Sequence, residues 1–169
     1  MFNLILKRRS VRQYLDKTID EEVLKSILAA GLIAPTGMNK KACRFILIKD
    51  REILEKLSAV KPAGASMLKE AAAAITVVVN EDITDTWIED SSVALGYMQL
   101  AAVQENVGSC WVQIRLRSGG ENSAQEKVSE ILKLGDKDKV VGILALGYAK
   151  NYPKPHTLED IDWSRVEEI

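Results

Sequence analysis

The stretch that decides the fold is Glu89-Asp-Ser-Ser-Val-Ala-Leu-Gly-Tyr-Met-Gln-Leu-Ala-Ala-Val-Gln-Glu-Asn106. It reads as a helix on which Val93, Ala94, Leu95, Tyr97, Met98, Leu100, Ala101, Ala102 and Val103 cover most of the circumference. A helix with so little polar face must be enclosed by protein on nearly all sides. Its small residues, Ala94, Gly96, Ala101 and Ala102, let a second helix come close. The rest of the chain has to supply that enclosure.

Three further helices are predicted around it. Thr18-Ile19-Asp20-Glu21 has capping-box spacing and introduces Val23, Leu24, Ile27 and Leu28, a stripe that runs out near Pro35. Asp50–Val60 carries Ile53, Leu54 and Leu57 at helical spacing. Ser123-x-x-Glu126 opens a helix bearing Val128, Ile131 and Leu132. Between these lie four short apolar runs bounded by charge or glycine: Phe45–Lys49, Ala74–Asn80, Cys110–Arg115 and Val140–Tyr148. They read as strands of one sheet, giving an α/β or α+β chain. The final segment, with Pro153 and Pro155 followed by polar residues, is expected to lie extended on the surface or against a partner.

Composition bounds the function. The 169 residues form one domain, 1–169, with 47% hydrophobic and 28% charged residues. The mass implies a folded monomer surface of roughly 8,300 Å². Twenty-three Lys+Arg against 24 Asp+Glu leave a net charge of −1, too little basic excess for a general nucleic-acid binder. Cys43 and Cys110 are far apart and His156 is the sole histidine, so neither a disulfide scaffold nor a His-rich metal site is expected. The longest uncharged runs are fourteen residues, as in Ser91–Gln104, short of the ~18 a membrane span needs. Two unpaired thiols and no export signal point to the cytoplasm. The charge is unevenly spread: residues 1–12 carry +4 and residues 156–169 carry −4.

Four segments could carry chemistry. Lys7-Arg8-Arg9-Ser10-Val11-Arg12 offers forked donors suited to phosphate, or is simply a solvated face. Ala34-Pro35-Thr36-Gly37-Met38-Asn39 ends a helix, yet sets a hydroxyl and an amide beside exposed backbone. Gly108-Ser109-Cys110-Trp111-Val112-Gln113-Ile114-Arg115 is a core strand or a ligand platform. Lys154-Pro155-His156 holds two potential cations, or is a surface tail. With one His, no Gly-x-Ser-x-Gly, no Gly-x-Gly-x-x-Gly and no P-loop, a bound cofactor has to supply any redox or transfer chemistry.

In this order and spacing the segments resemble the nitroreductase family of FMN-dependent, NAD(P)H-using oxidoreductases, over essentially the whole chain. The resemblance implies an α+β fold: a three-layer α-β-α sandwich with one central, mainly antiparallel sheet. It also implies a homodimer with FMN at the subunit interface. By the same resemblance Arg8 and Ser10 contact the FMN phosphate, with Arg9 beside them. Arg12 lies near flavin N1 and O2, where a cation stabilises the reduced ring. Pro35, Thr36, Gly37 and Asn39 reach the ring from the other subunit. Trp111, Val112 and Gln113 run behind it, and Lys154 and His156 add phosphate contacts.

The chain departs from the family in places. Lys41-Ala42-Cys43 replaces a common Gln-Pro-Trp, and Val112-Gln113-Ile114 stands where a Gly near flavin N5 is usual, so Gln113 can shape the pocket instead. The chain is short for the family, leaving Lys61–Lys69 as the candidate lid. The implied activity is ping-pong hydride transfer from NADH or NADPH to a nitroaromatic, quinone or similar small-molecule acceptor. No catalytic side chain and no metal is expected. The alternative is a flavin carrier or sensor with little turnover.

Overall fold

Strand β2 (Ala73–Asn80) is buried along nearly its whole length, which places it inside a sheet covered on both faces. The computed structural model describes residues 2–169. Strands β1 (Cys43–Ile48), β2, β3 (Gly108–Gln113) and β4 (Asp138–Gly147) form one sheet in the order β1-β2-β4-β3, every pairing antiparallel. Alternate residues of each strand face opposite layers. Ala74, Val78, Val112, Val140 and Ile143 pack with helices α3 (Arg51–Ser58) and α5 (Ala124–Leu132). Ile75, Val77, Leu144 and Leu146 pack with α2 (Glu21–Leu32) and α4 (Trp87–Gln104). The result is the expected three-layer α+β sandwich. A short helix, α1 (Phe2–Lys7), precedes the basic segment and has no clear signal in the sequence.

Helix α4 begins and ends two residues earlier than its apolar pattern suggests. Its buried residues, among them Ala94, Leu95, Met98 and Ala102, face α2 and the sheet, while Val93 and Tyr97 remain exposed. A single chain therefore encloses only part of the helix. Gly31 of α2 makes the close approach that small residues permit: a Cβ there would lie 2.9 Å from Met98 Sδ.

Two caps were legible and one of them forms. Ser123 and Glu126 make a full capping box at α5, Ser123 Oγ accepting from Glu126 N at 3.2 Å and Glu126 Oε2 from Ser123 N at 2.7 Å. The Thr18–Glu21 box does not form: Asp20 is the N-cap of α2, and the Glu21 carboxylate pairs with Lys49 across the β1–α3 connection. With Asp20 as the cap, Glu21 is the first helical residue and is not placed to close a box on Thr18. At the far end, Tyr14 packs its ring on Gly147, where a Cβ would lie 2.7 Å from the ring, and its hydroxyl donates to Val11 O at 2.7 Å. Burial pushes its phenol far above the usual range. The tail after Pro155 is exposed and extended, with short 3-10 turns at Leu158–Asp160 and Trp163–Arg165.

Candidate functional site

Beyond α1 the chain straightens and lies against the outer edge of β3. Val11 N donates to Ser109 O at 2.9 Å, and Ser10 and Ser109 form a parallel bridge. Val11 turns inward and is buried, while Arg8, Arg9 and Ser10 are half-buried and Arg12 is exposed. Among the described residues no carboxylate lies within 4 Å of Arg8, Arg9 or Arg12. Arg8 Nη1 instead points to Gln99 Oε1 of α4, 3.4 Å away. The Cys110 thiol lies beside this cluster; burial pushes its pKa up, and Arg12, Ser10, Lys61 and Arg8 pull against that.

The C-terminal segment returns to the same place. Leu15 N donates to Tyr148 O at 2.8 Å, Lys150 N to Gln13 O at 3.0 Å, and His156 N to Leu6 O at 2.9 Å. These bonds carry Lys154 and His156 to Arg9, whose guanidinium donates to the Lys154 carbonyl. Arg9, Lys154, His156, Thr157 and Asp160 line a cleft of about 340 Å³. His156 Nδ1 stands 3.6 Å from Asp160 Oδ2. The Asp160 carboxyl is held below its ordinary range, first by the Thr157 N–H and also by His156.

On β3, Trp111 Nε1 donates to Gln113 Oε1 at 3.0 Å, and Gln113 Nε2 donates to Arg115 O at 3.0 Å. Both ends of the Gln113 amide are thereby engaged, so the side chain is held in one orientation. Val112 is fully buried and offers the site only its backbone. Lys61 Nζ donates to Gln113 O at 2.8 Å; burial lowers its pKa, with Arg117 adding to the effect. This ammonium ties the front of the candidate lid, residues 61–69, to the end of β3.

The turn at Pro35, Thr36, Gly37 and Asn39 lies elsewhere. Gly37 N donates to Asp90 Oδ1 at 2.9 Å, at the N-terminal end of α4. Asp90 and Gln99 are nine residues apart, roughly 13 Å along a helix. The structure thus unites Arg8, Arg9, Ser10, Arg12, Lys154 and His156, sets them at the edge of β3, and leaves residues 35–39 at the other end of α4.

Asp90 and Gln99 escaped the sequence reading, and Lys61 entered it only as the start of the candidate lid. The first two carried a faint signal, being polar residues within an otherwise apolar helix. Both are buried.

The sequence pattern of the Nitroreductase family matches residues 5–82 and 59–148. The chain belongs to this family. A relative in Archaeoglobus fulgidus, provisionally named an NADH dehydrogenase/NAD(P)H nitroreductase, is 33% identical over 152 residues, covering 88% of this chain and 84% of that protein. One of the same provisional name in Methanothermobacter thermautotrophicus is 32% identical over 96% of this chain and 84% of its own length. A solved structure named FMN-dependent nitroreductase, from Clostridium difficile R20291, is 36% identical with a TM-score of 0.97, covering 99% of this chain and 98% of that one. Among the described residues no helix is long and apolar enough to cross a membrane, and no group of three or more His, Cys, Asp or Glu able to hold a metal occurs.

Proposed function

We propose that this nitroreductase is an FMN-dependent oxidoreductase that takes hydride from NADH or NADPH and passes it to a nitroaromatic, quinone or similar acceptor in a ping-pong cycle, as a cytoplasmic homodimer. The observation that carries the reading is the set of guanidiniums at the β3 edge with no carboxylate among the described residues within 4 Å to neutralise them. Cations are left without acids where an anionic ligand completes them. The Clostridium difficile relative, described as FMN-dependent, supports the choice of ligand.

The donor set fits FMN. Arg8, Arg9 and Ser10, joined by Lys154 and His156, suit a phosphate, and Ser109 Oγ beside them is buried without a hydrogen-bond partner. FMN, when bound, supplies two-electron chemistry that no side chain here offers. Arg12 keeps a positive charge where the reduced ring gains negative charge, which favours reduction. The backbone of Trp111, Val112 and Gln113 backs the ring, with Gln113 fixed by Trp111 and Lys61. Pro35, Thr36, Gly37 and Asn39 would meet a ring held by the second copy. Water supplies protons to the product, so no acidic or basic side chain is required.

Anaerobic titration of the purified yellow protein with NADH and with NADPH tests the reading. The flavin band is expected to bleach within seconds and to return on adding menadione or a nitroaromatic. Flavin that stays oxidised makes the protein a carrier or sensor and overturns the enzyme reading. Colourless protein that takes up no FMN overturns the cofactor assignment as well.

A further inference from the structure

We propose that Asp90 is a positioning residue, fixing the 35–39 turn by which one chain touches the flavin held by its partner copy; the proposal rests on the flavin reading above. Asp90 is 4% exposed, and among the described residues no cation lies within 4 Å of it. A buried carboxylate is costly unless hydrogen bonds satisfy it. Its two oxygens are spent on two donors: Oδ1 accepts from Gly37 N at 2.9 Å and Oδ2 from the Thr86 hydroxyl at 3.3 Å. Thr86 Oγ1 is braced in turn by Thr84 Oγ1, 2.9 Å away. The N-terminal end of α4 adds favourable potential for the negative charge.

The turn needs an external anchor. Met38 (φ 50), Asn39 (φ 54) and Lys41 (φ 49) all occupy the left-handed region without being glycine. Such backbone persists only where surrounding contacts over-determine it. Inside the turn, Asn39 N donates to Thr36 O and Lys41 N to Thr36 Oγ1, both at 3.0 Å. From outside, Lys40 Nζ reaches Ile83 O on the exposed surface, and Asp90 supplies the protected contact. Gly37 is required because a Cβ there would collide with Thr86 Oγ1, so the backbone rests directly on the Thr86–Asp90 pair. A charged acceptor makes the stronger hydrogen bond. Since Gln99 on the same helix touches Arg8, α4 sets both the phosphate half of one site and the ring half of its mate.

The test uses the full-length chain, stripped of flavin and titrated with FMN and, in parallel, riboflavin, following flavin fluorescence. Asp90→Ala is expected to weaken both flavins equally, by about tenfold, the loss of one charge-assisted hydrogen bond. Arg8→Ala, by contrast, weakens FMN and spares riboflavin. Asp90→Asn keeps an acceptor for Gly37 N–H and is expected to restore affinity and the visible circular dichroism of bound flavin. Amide exchange at Gly37 should be fast in Asp90→Ala and slow in Asp90→Asn. If Asp90→Ala fails to fold, Asp90→Leu, which fills the buried volume without an acceptor, carries the test, with the same equal loss for both flavins expected.

Wild-type affinity for both flavins in Asp90→Ala, or in Asp90→Leu where that variant carries the test, overturns the proposal. So does an Asp90→Asn variant as weak as Asp90→Ala. Wild-type protein that takes up neither flavin overturns the flavin reading and this proposal together, a result distinct from the other two.

Discussion

Three guanidiniums at one sheet edge, Arg8, Arg9 and Arg12, concentrate positive charge that a dianionic phosphate or a reduced ring would balance. The double variant Arg8→Ala/Arg12→Ala is therefore expected to lose FMN while far-ultraviolet circular dichroism stays unchanged, because Arg12 is exposed and Arg8 only half-buried. Stoichiometric flavin retained by that variant would refute the site assignment. Residue types in the basic segment were readable because guanidinium chemistry is local. Gln99 was not, since its use depends on α1 crossing α4, a contact between residues 91 positions apart. Lys61 likewise became a site residue only when the fold brought it to the Gln113 carbonyl.

Elements were legible in proportion to how local their determinants are. All four strands appear within about two residues of their expected bounds at each end, because short β-branched runs between charged or glycine stops leave little choice. The α5 capping box formed as read, since its partners are three residues apart and meet no competitor. The Thr18–Glu21 box is absent because the helix begins two residues later than that box requires, with Asp20 as its cap, and the Glu21 carboxylate pairs with Lys49 instead. Glu126 offers a test by pH. Its carboxyl lies below the ordinary glutamate range, held there by the Ser123 N–H and hydroxyl. A carboxylate depressed on folding stabilises the fold above its unfolded pKa and loses that contribution as pH falls through the folded value. Glu126→Gln should therefore lower the urea midpoint at neutral pH and match wild type in acid. An equal gap at both pH values would contradict the charge's role in the cap.

The whole chain exposes 10066 Å², against roughly 8,300 Å² for a compact monomer of this mass. The surplus includes Val93 and Tyr97 of α4, Phe2 and Ile5 of α1, and Leu158, Trp163 and Val166 in the acidic tail. On the proposed homodimer, these are surfaces that a second copy is expected to cover. Sedimentation at micromolar concentration is expected to give twice the 18.7 kDa chain mass. A monomer that binds one FMN per chain with full affinity would rule out a site shared between copies.

The sequence by itself determined the layers, the basic segment and the resemblance that named a cofactor. Each rests on periodicity, on local residue chemistry or on motif order, which need no knowledge of distant neighbours. Only the tertiary structure decided how residues 154–156, which the resemblance had assigned to the same phosphate, reach residues 8–12, that Gln113 is clamped between Trp111 and Lys61, and that Asp90 accepts from the Gly37 N–H of the 35–39 turn. It also left that turn about 13 Å along α4 from the basic cluster of its own chain. The physical reason is common to all four: hydrogen bonds and charge contacts between distant residues are chosen by packing, and packing follows from the buried faces of the whole chain at once.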